Sequence, residues 1–390
     1  MILRIHLLIC LISLFMSACM RIPRSGRAFL KTIKKEQLLT SAHCGVAVWN
    51  TQKQAYLIQY NSNKNFIPAS NVKIATLHAA LQFLPDSLPS FDYDNTTDTL
   101  FILPKGDPSF FNPDFTDQPA VDFLKKEKKP IVIVPVQWET EIYGKGWAWD
   151  DYQSSYMPEK SPIPVYTKRK EAYQPGAQII FPSMQDKYEN AAQFLSDTLG
   201  RTVTISNSNR KFNENVQTFY SASRDSVCKK MMFESDNFIA EQLLLMISNT
   251  LTGSMNENKL MGKILSDSLY AFPQKPIWVD GSGLSRYNLF SPEDLVYLLR
   301  KIEKDFGKKR IDAIFPTGNE GTLKGTYDDK AGYLYAKTGT LSGQITLSGY
   351  LTTKKNTPLI FSVMVNNHTG KSSEVKKIMA RLIDKIWQTY

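Results

Sequence analysis

Ser70 and Lys73 stand three residues apart in Pro68-Ala69-Ser70-Asn71-Val72-Lys73, and an apolar run from Ile74 to Leu84 follows without a break. The spacing predicts a helix from Ser70 that stops at Pro85, with both side chains on one face of its first turn. A hydroxyl with an amine beside it is a nucleophile with its own base, and the positive helix end favours negative charge developing there. The lysine works as a base only when neutral, so burial or a nearby cation must lower its pKa from about 10.4. Ser-x-x-Lys also occurs at Ser208/Lys211, Ser226/Lys229 and Ser373/Lys376. Those pairs lie in polar segments or beside charge; only Ser70 opens a strongly apolar helix that would keep an amine dry.

Two other clusters have chemical potential. Ser235-Asp236-Asn237 interrupts the helical stretch Arg224–Thr250, whose Met231, Met232, Phe238, Ile239, Leu243, Leu244 and Met246 read as core positions. Three polar residues in an apolar stripe call for a reason. Lys337-Thr338-Gly339-Thr340 ends a strand-like run. A strand edge there offers backbone groups to an extended peptide, Gly339 lets that peptide approach closely, and Lys337 offers a fixed positive charge for a carboxylate.

The elements that must position these groups follow in chain order. Gly45–Asn50 and Ala55–Tyr60 predict a hairpin ahead of the Ser70 helix. From about 86 to 220 the texture changes to short strands, among them Thr99–Leu103, Ile131–Val134 and Thr202–Ile205, with a helix over Tyr188–Leu199; this predicts an inserted α/β unit. Within it, Tyr143–Asp151 carries glycines, two indoles and paired acids, equally suited to a ligand rim and to a packed turn. Asp280-Gly281-Ser282-Gly283-Leu284-Ser285-Arg286 predicts a tight loop close to a site, and Ser291-Pro292-Glu293-Asp294 a capped helix start. Gly332–Lys337, Gln344–Leu351 and Pro358–Val365 predict an antiparallel meander, and Ser373–Trp387 a terminal helix.

Bulk properties narrow the function classes. The 390 residues suffice for two or three domains. Forty-seven basic residues face 37 acidic ones, a net +10, but acids interleave throughout and nucleic acid is not an expected partner. Four histidines and four cysteines show no metal-ligand spacing, so neither a metal nor another cofactor is expected. His78 reads as a core residue, and Cys44 and Cys228 as either a pair or two buried thiols. Arg4, the apolar run Leu7–Phe15 and the small residues before Cys19 read as a secretory signal over 1–19. Small residues leading into a cysteine resemble a bacterial lipoprotein signal, implying lipidation of Cys19, a membrane anchor and a periplasmic location in the cell envelope.

Ser70-x-x-Lys73, Ser235-x-Asn237 and Lys337-Thr338-Gly339, in this order, resemble the motif set of penicillin-binding proteins and serine β-lactamases. The long gap between the first two motifs is similar to the D-alanyl-D-alanine carboxypeptidase/endopeptidase branch, the low-molecular-mass class C penicillin-binding proteins. Asp280–Asn288, Gly106-Asp107-Pro108, Gly146–Asp151 and Gly321-Thr322-Leu323 extend the likeness over roughly residues 40 to 368. The resemblance implies an α/β (α+β) fold of the β-lactamase/transpeptidase type. It would have a five-stranded antiparallel sheet flanked by helices and an all-helical subregion. The peptidase unit would comprise 20–85 and 221–390, and the accessory insert 86–220. That insert is shorter than in the best-known members.

The same resemblance implies the chemistry: Ser70 attacks the penultimate D-alanine carbonyl of a peptidoglycan stem peptide while Lys73 takes its proton. Ser235 relays that proton to the departing amine, and Asn237 holds the substrate amide. Lys337 and Thr338 bind the terminal carboxylate, and Lys337 helps keep Lys73 neutral. Backbone N–H groups of Ser70 and Thr340 form the oxyanion hole. β-Lactams would acylate the same serine, and Asp151 would meet an amine on the stem peptide. Two alternatives stay open: a serine β-lactamase on the same core, and a catalytically silent lipoprotein that binds wall peptides.

Overall fold

The computed structural model describes residues 24–152, 154–165, 183–207 and 216–390. Residues 1–19, expected to be a signal ending at Cys19, and the Ser208/Lys211 pair lie outside the described residues.

The first sheet pairs five strands: β1 (His43–Asn50), β2 (Ala55–Tyr60), β8 (Leu334–Leu341), β9 (Gln344–Thr352) and β10 (Pro358–Asn366). Their order is β2-β1-β10-β9-β8, with every neighbour antiparallel. The hairpin and the meander thus form as their alternation and turn residues predict. β10 carries a nearly continuous apolar run because it lies inside the sheet and is covered on both faces. β8 is an edge strand, as expected, but it extends four residues further than the sequence suggests. Lys337 therefore sits in mid-strand rather than at its end.

One face of this sheet is covered by α1 (Arg24–Lys35) and α10 (Ser372–Thr389), with Ile33, Val46, Val363, Leu382 and Ile383 in the core between them. The other face carries helices α2 (Lys73–Phe83), α5 (Arg224–Glu234), α6 (Asn237–Thr252), α7 (Glu257–Asp267), α8 (Pro292–Phe306) and α9 (Lys308–Ile314). α2 runs through the middle of this layer: every residue from Lys73 to Leu81 is buried, so it is apolar all round rather than amphipathic. It stops before Pro85, whose predecessor Leu84 is extended. The buried Arg224 guanidinium donates to the carbonyls of Leu81 and Leu84 and pairs with Asp86 at 2.7 Å. α8 starts on a reciprocal cap, in which Ser291 Oγ accepts from Asp294 N–H and Asp294 accepts from Ser291 N–H.

A second five-stranded sheet is built from β3 (Ser87–Asn95), β4 (Leu100–Pro104), β5 (Ile131–Ile133), β6 (Val203–Ile205) and β7 (Gln217–Ser223), ordered β6-β5-β4-β3-β7. It is mixed: β4, β5 and β6 run parallel, whereas β3 pairs antiparallel with β4 and β7. α3 (Pro119–Lys126) and α4 (Met184–Leu199) pack on it around Phe91, Ile102, Leu124, Ile131 and Leu195. This core is separate from those of the first sheet. Asp107 ties the two ends of this stretch together, accepting from Ser109 Oγ at 2.6 Å and from Ser221 Oγ at 2.5 Å.

Among the described residues no group of histidine, cysteine, aspartate and glutamate could hold a metal ion, and no helix is long and apolar enough to cross a membrane. Cys44 and Cys228 are both buried and unpaired, and burial pushes each thiol up to about 12. His78 is a core residue: its ring packs edge-on against Phe306, and burial lowers it to about 4.

Candidate active site

Ser70 does not lie in the α-helix itself. Ala69–Val72 is a tighter 3-10 turn, and the α-helix begins at Lys73. The cause is the cramped approach of two other backbones. Ala69 takes φ 48°, rare for a residue with a side chain. Pro68 O accepts both Asn71 N–H at 3.1 Å and Thr346 Oγ1 at 2.8 Å. Asn71 Nδ2 reaches the Lys337 carbonyl at 3.0 Å, which stitches the turn to β8.

Gly339 belongs to this packing. A Cβ there would fall 2.2 Å from Thr346 Oγ1 and 2.9 Å from Pro68 O. On that side of the strand its missing side chain makes room for Thr346 and the Ser70 turn. The strand edge is nonetheless available. Ala336 N–H points away from β9 to Pro316 O, and the register continues unbroken to Leu341. By the two-residue period, the N–H groups of Thr338 and Thr340 face the same outer edge. Thr338 Oγ1 also bonds Thr322 Oγ1 at 2.7 Å, in the Gly321–Leu323 turn.

Asn237 arrives from a helix joint. α5 closes on Ser235, which adopts a left-handed φ of 59°. Asp236 then caps α6 by accepting Ile239 N–H at 2.9 Å. The polar triplet in the apolar stripe is therefore where one helix ends and the next begins, with Ser235 and Asn237 two residues apart at the junction.

These elements meet at Lys73 Nζ, which lies 3.0 Å from Ser70 Oγ, 2.6 Å from Asn237 Oδ1 and 2.6 Å from the Ser282 carbonyl. A neutral amine has two N–H donors and one lone pair. Asn237 Oδ1 and Ser282 O can only accept, so they take the two donors and leave the lone pair for the Ser70 hydroxyl. Burial lowers Lys73 from 10.5 to about 8, against the opposing pull of Asp280, Asp236 and Glu241.

Lys337 is likewise buried, and its Nζ donates to Thr338 O at 2.9 Å. Burial and the charge of Lys73 hold it well below the ordinary lysine range. Of the two causes expected for a lowered Lys73, burial is the larger, and the charge on Lys337 is not fixed by the protein alone.

The Asp280–Asn288 loop frames the back of the site. Asp280 accepts from Gly283 N–H, Ser285 N–H, Asn288 Nδ2 and, at 2.9 Å, Trp147 Nε1. Trp147 thus serves the packed-turn reading of Tyr143–Asp151, while Trp149 is 81% exposed. Asp151 reaches the site at one remove. Its Oδ1 accepts the Tyr156 hydroxyl at 2.6 Å, and the Tyr156 carbonyl accepts Asn237 Nδ2 at 2.8 Å.

Among the described residues, the two other Ser-x-x-Lys pairs do not join the site. Ser226 donates to Ser223 O at the start of α5, with Lys229 over the Phe233 ring, and Ser373 and Lys376 lie exposed on α10.

Glu241 and Gln242, both buried on α6, were not singled out from sequence. Glu241 accepts N–H groups from Gly281 and Ser282. Gln242 joins Ser161 and the Gly106 carbonyl, linking α6 to the stretch that carries the second sheet. Two adjacent polar residues inside the otherwise apolar run Phe238–Ile247 were the available signal.

The sequence model of the D-Ala-D-Ala carboxypeptidase 3 (S13) peptidase family matches residues 27–179 and 174–386. The chain belongs to this family. Among relatives, D-alanyl-D-alanine carboxypeptidase DacB of Haemophilus influenzae is 30% identical over 167 residues, 40% of this chain and 34% of that protein. Carboxypeptidase DacB of Mycolicibacterium smegmatis is 27% identical over 200 residues, 47% of this chain and 44% of that protein. These alignments each span less than half of the relative's length. Among solved structures, penicillin binding protein 4 (dacB) from Haemophilus influenzae superposes with a TM-score of 0.73 at 19% identity, covering 92% of this chain and 99% of that one. A predatory peptidoglycan endopeptidase from Bdellovibrio bacteriovorus gives 0.58 at 17% identity, over 88% of this chain and 92% of that one.

Proposed function

We propose that the chain is a serine D-Ala-D-Ala carboxypeptidase that also cuts peptide cross-links, acting on peptidoglycan stem peptides outside the cytoplasm. The observation that carries this reading is the three-way contact of Lys73 Nζ, on a fully buried side chain, with Ser70 Oγ, Asn237 Oδ1 and Ser282 O.

Ser70 Oγ bonds to the penultimate D-alanine carbonyl carbon as its proton passes to the Lys73 lone pair. Charge develops on the carbonyl oxygen, which the N–H groups of Ser70 and Thr340 receive. The C–N bond breaks, Ser235 passes the proton to the departing amine, and D-alanine leaves. Water then opens the ester and returns a proton to Ser70. Lys337 and Thr338 hold the terminal carboxylate, whose negative charge restores the Lys337 ammonium. Asn237 orients the substrate amide. β-Lactams trap the first half of this sequence as a stable ester.

Asp151 is assigned to an amine on the stem peptide, an assignment supported by its link through Tyr156 to Asn237. Cys19 is assigned as the lipidated first residue once the signal segment ahead of it is removed, anchoring the protein to a membrane. The division into a peptidase unit of 20–85 and 221–390 and an accessory unit of 86–220 is supported by the separate sheet and core of the latter.

Digestion of purified pentapeptide muropeptides and cross-linked dimers tests the reading. Free D-alanine and split dimers, both blocked by benzylpenicillin, are expected; intact substrates would refute it.

A further inference from the structure

We infer that Glu241 is a positioning residue for this reaction: its carboxylate fixes the Gly281–Ser282 peptide so that the Ser282 carbonyl takes one N–H of Lys73 and the amine's lone pair is left facing Ser70. The inference rests on the reading of Ser70 and Lys73 as nucleophile and base.

Glu241 lies one turn after Asn237 on α6 and is 1% exposed. It accepts Ser282 N–H at 2.8 Å and Gly281 N–H at 3.2 Å. The carbonyls of the same two residues face the opposite way, onto α2. Gly281 O accepts Thr76 Oγ1 at 2.7 Å, and Ser282 O accepts Lys73 Nζ at 2.6 Å. This short segment therefore bridges two helices, with Glu241 holding one side and the base on the other. A Cβ on Gly281 would fall 2.5 Å from Ala240 O, so the segment lies directly against the α6 backbone.

A carboxylate buried this deeply carries a heavy desolvation cost, and burial together with Asp280 pushes Glu241 up to about 7. A group retained against that cost, with its acceptors spent on two backbone N–H groups, has an orienting task. Without the Ser282 carbonyl in place, Lys73 keeps one strong acceptor, Asn237 Oδ1. The amine could then turn about its last bond and carry the lone pair away from Ser70. The charges facing Lys73 are Asp236, Asp280 and Glu241, and beside it lies Lys337, itself held well below the ordinary lysine range; those facing Glu241 are Asp280 and Lys160.

The test is acylation of the full chain by benzylpenicillin, followed in time across the pH range that brackets 8. Rates are expressed per titrated active site, so that unfolded protein does not count. Glu241→Gln keeps the shape but sets an amide NH2 against a backbone N–H. It is expected to lower the acylation rate constant about 10- to 100-fold, with the preceding dissociation constant held within about twofold. Its acid limb should also move to lower pH, because a charge that favours protonated Lys73 is gone. Glu241→Asp keeps that charge but withdraws the carboxylate by one methylene, and is expected to lose about tenfold without moving the limb.

Wild-type rate constants with an unmoved limb in either variant would overturn the inference. So would a loss confined to the number of titratable sites, since that is the mark of a purely structural role. If wild-type protein takes up no penicillin, it is the function reading that fails. If wild type and both variants acylate alike, only the role of Glu241 does.

Discussion

Gly283 lies directly against the backbone of Ala69: a Cβ on Gly283 would fall 1.9 Å from the Ala69 carbonyl oxygen and 3.0 Å from Ser70 N. Gly283 also takes φ +87°, a conformation closed to most side chains. The loop that supplies the Ser282 carbonyl and the turn that carries Ser70 are thus pressed together, and the nucleophile is set by loop packing as much as by its own helix.

Gly283→Ala is therefore expected to lower the acylation rate by about 100-fold or more, since a shift near 1 Å at a reacting group has that effect. Stopped-flow acylation with a fluorescent penicillin, beside thermal unfolding, measures this. A wild-type acylation rate in a folded variant would show that the contact does not position Ser70.

The pH dependence follows from Lys73. Only its neutral form accepts the Ser70 proton, and burial sets its pKa at about 8. The acylation rate should rise with pH and level off above about 8. A rate that falls across that interval would contradict a neutral lysine base. The sign for stability is consistent. The unfolded chain holds the Lys73 proton up to about 10.5, whereas the folded protein sheds it near 8. The unfolded state binds more protons between those values, so this group's contribution to stability improves as pH rises through the window and is a cost below it.

Much of this site was legible in the sequence because its pieces are local. The apolar run after Ser70 marked a buried helix, the polar interruption at Ser235 marked a break in the apolar stripe, and three closely spaced strand-like runs marked the meander that carries Lys337. What stayed hidden depends on contacts between distant segments. The 3-10 form of the Ser70 turn comes from Gly283 and Thr346, which lie more than two hundred residues away. The packing of Thr346 against Gly339 was hidden because Thr346 is on the next strand. Glu241 was invisible as a functional residue because an acid in a helix usually faces water, and nothing local says that two backbone N–H groups wait for it in the core. The second sheet was foreseen as short strands, but the pairing of β3 with β7 across more than one hundred residues was not.

Asp151 offers a test of substrate preference. If it meets an amine on the stem peptide, a charge-assisted bond worth about 1.5 kcal/mol gives roughly a tenfold preference in kcat/KM. Wild-type enzyme should lose that factor when the substrate amine is acetylated. Asp151→Asn, which can still accept from Tyr156, should turn over both substrates at the same lowered rate. A variant that discriminates as strongly as wild type would remove Asp151 from recognition.

The central claim is that Ser70 is the nucleophile, served by Lys73. Its most direct measurement is peptide mass spectrometry of the protein after brief exposure to benzylpenicillin. A single penicilloyl ester on the tryptic peptide containing Ser70, missing from Ser70→Ala and nearly missing from Lys73→Ala, is the predicted result. An unmodified Ser70 peptide, or an adduct on another serine, would contradict the account.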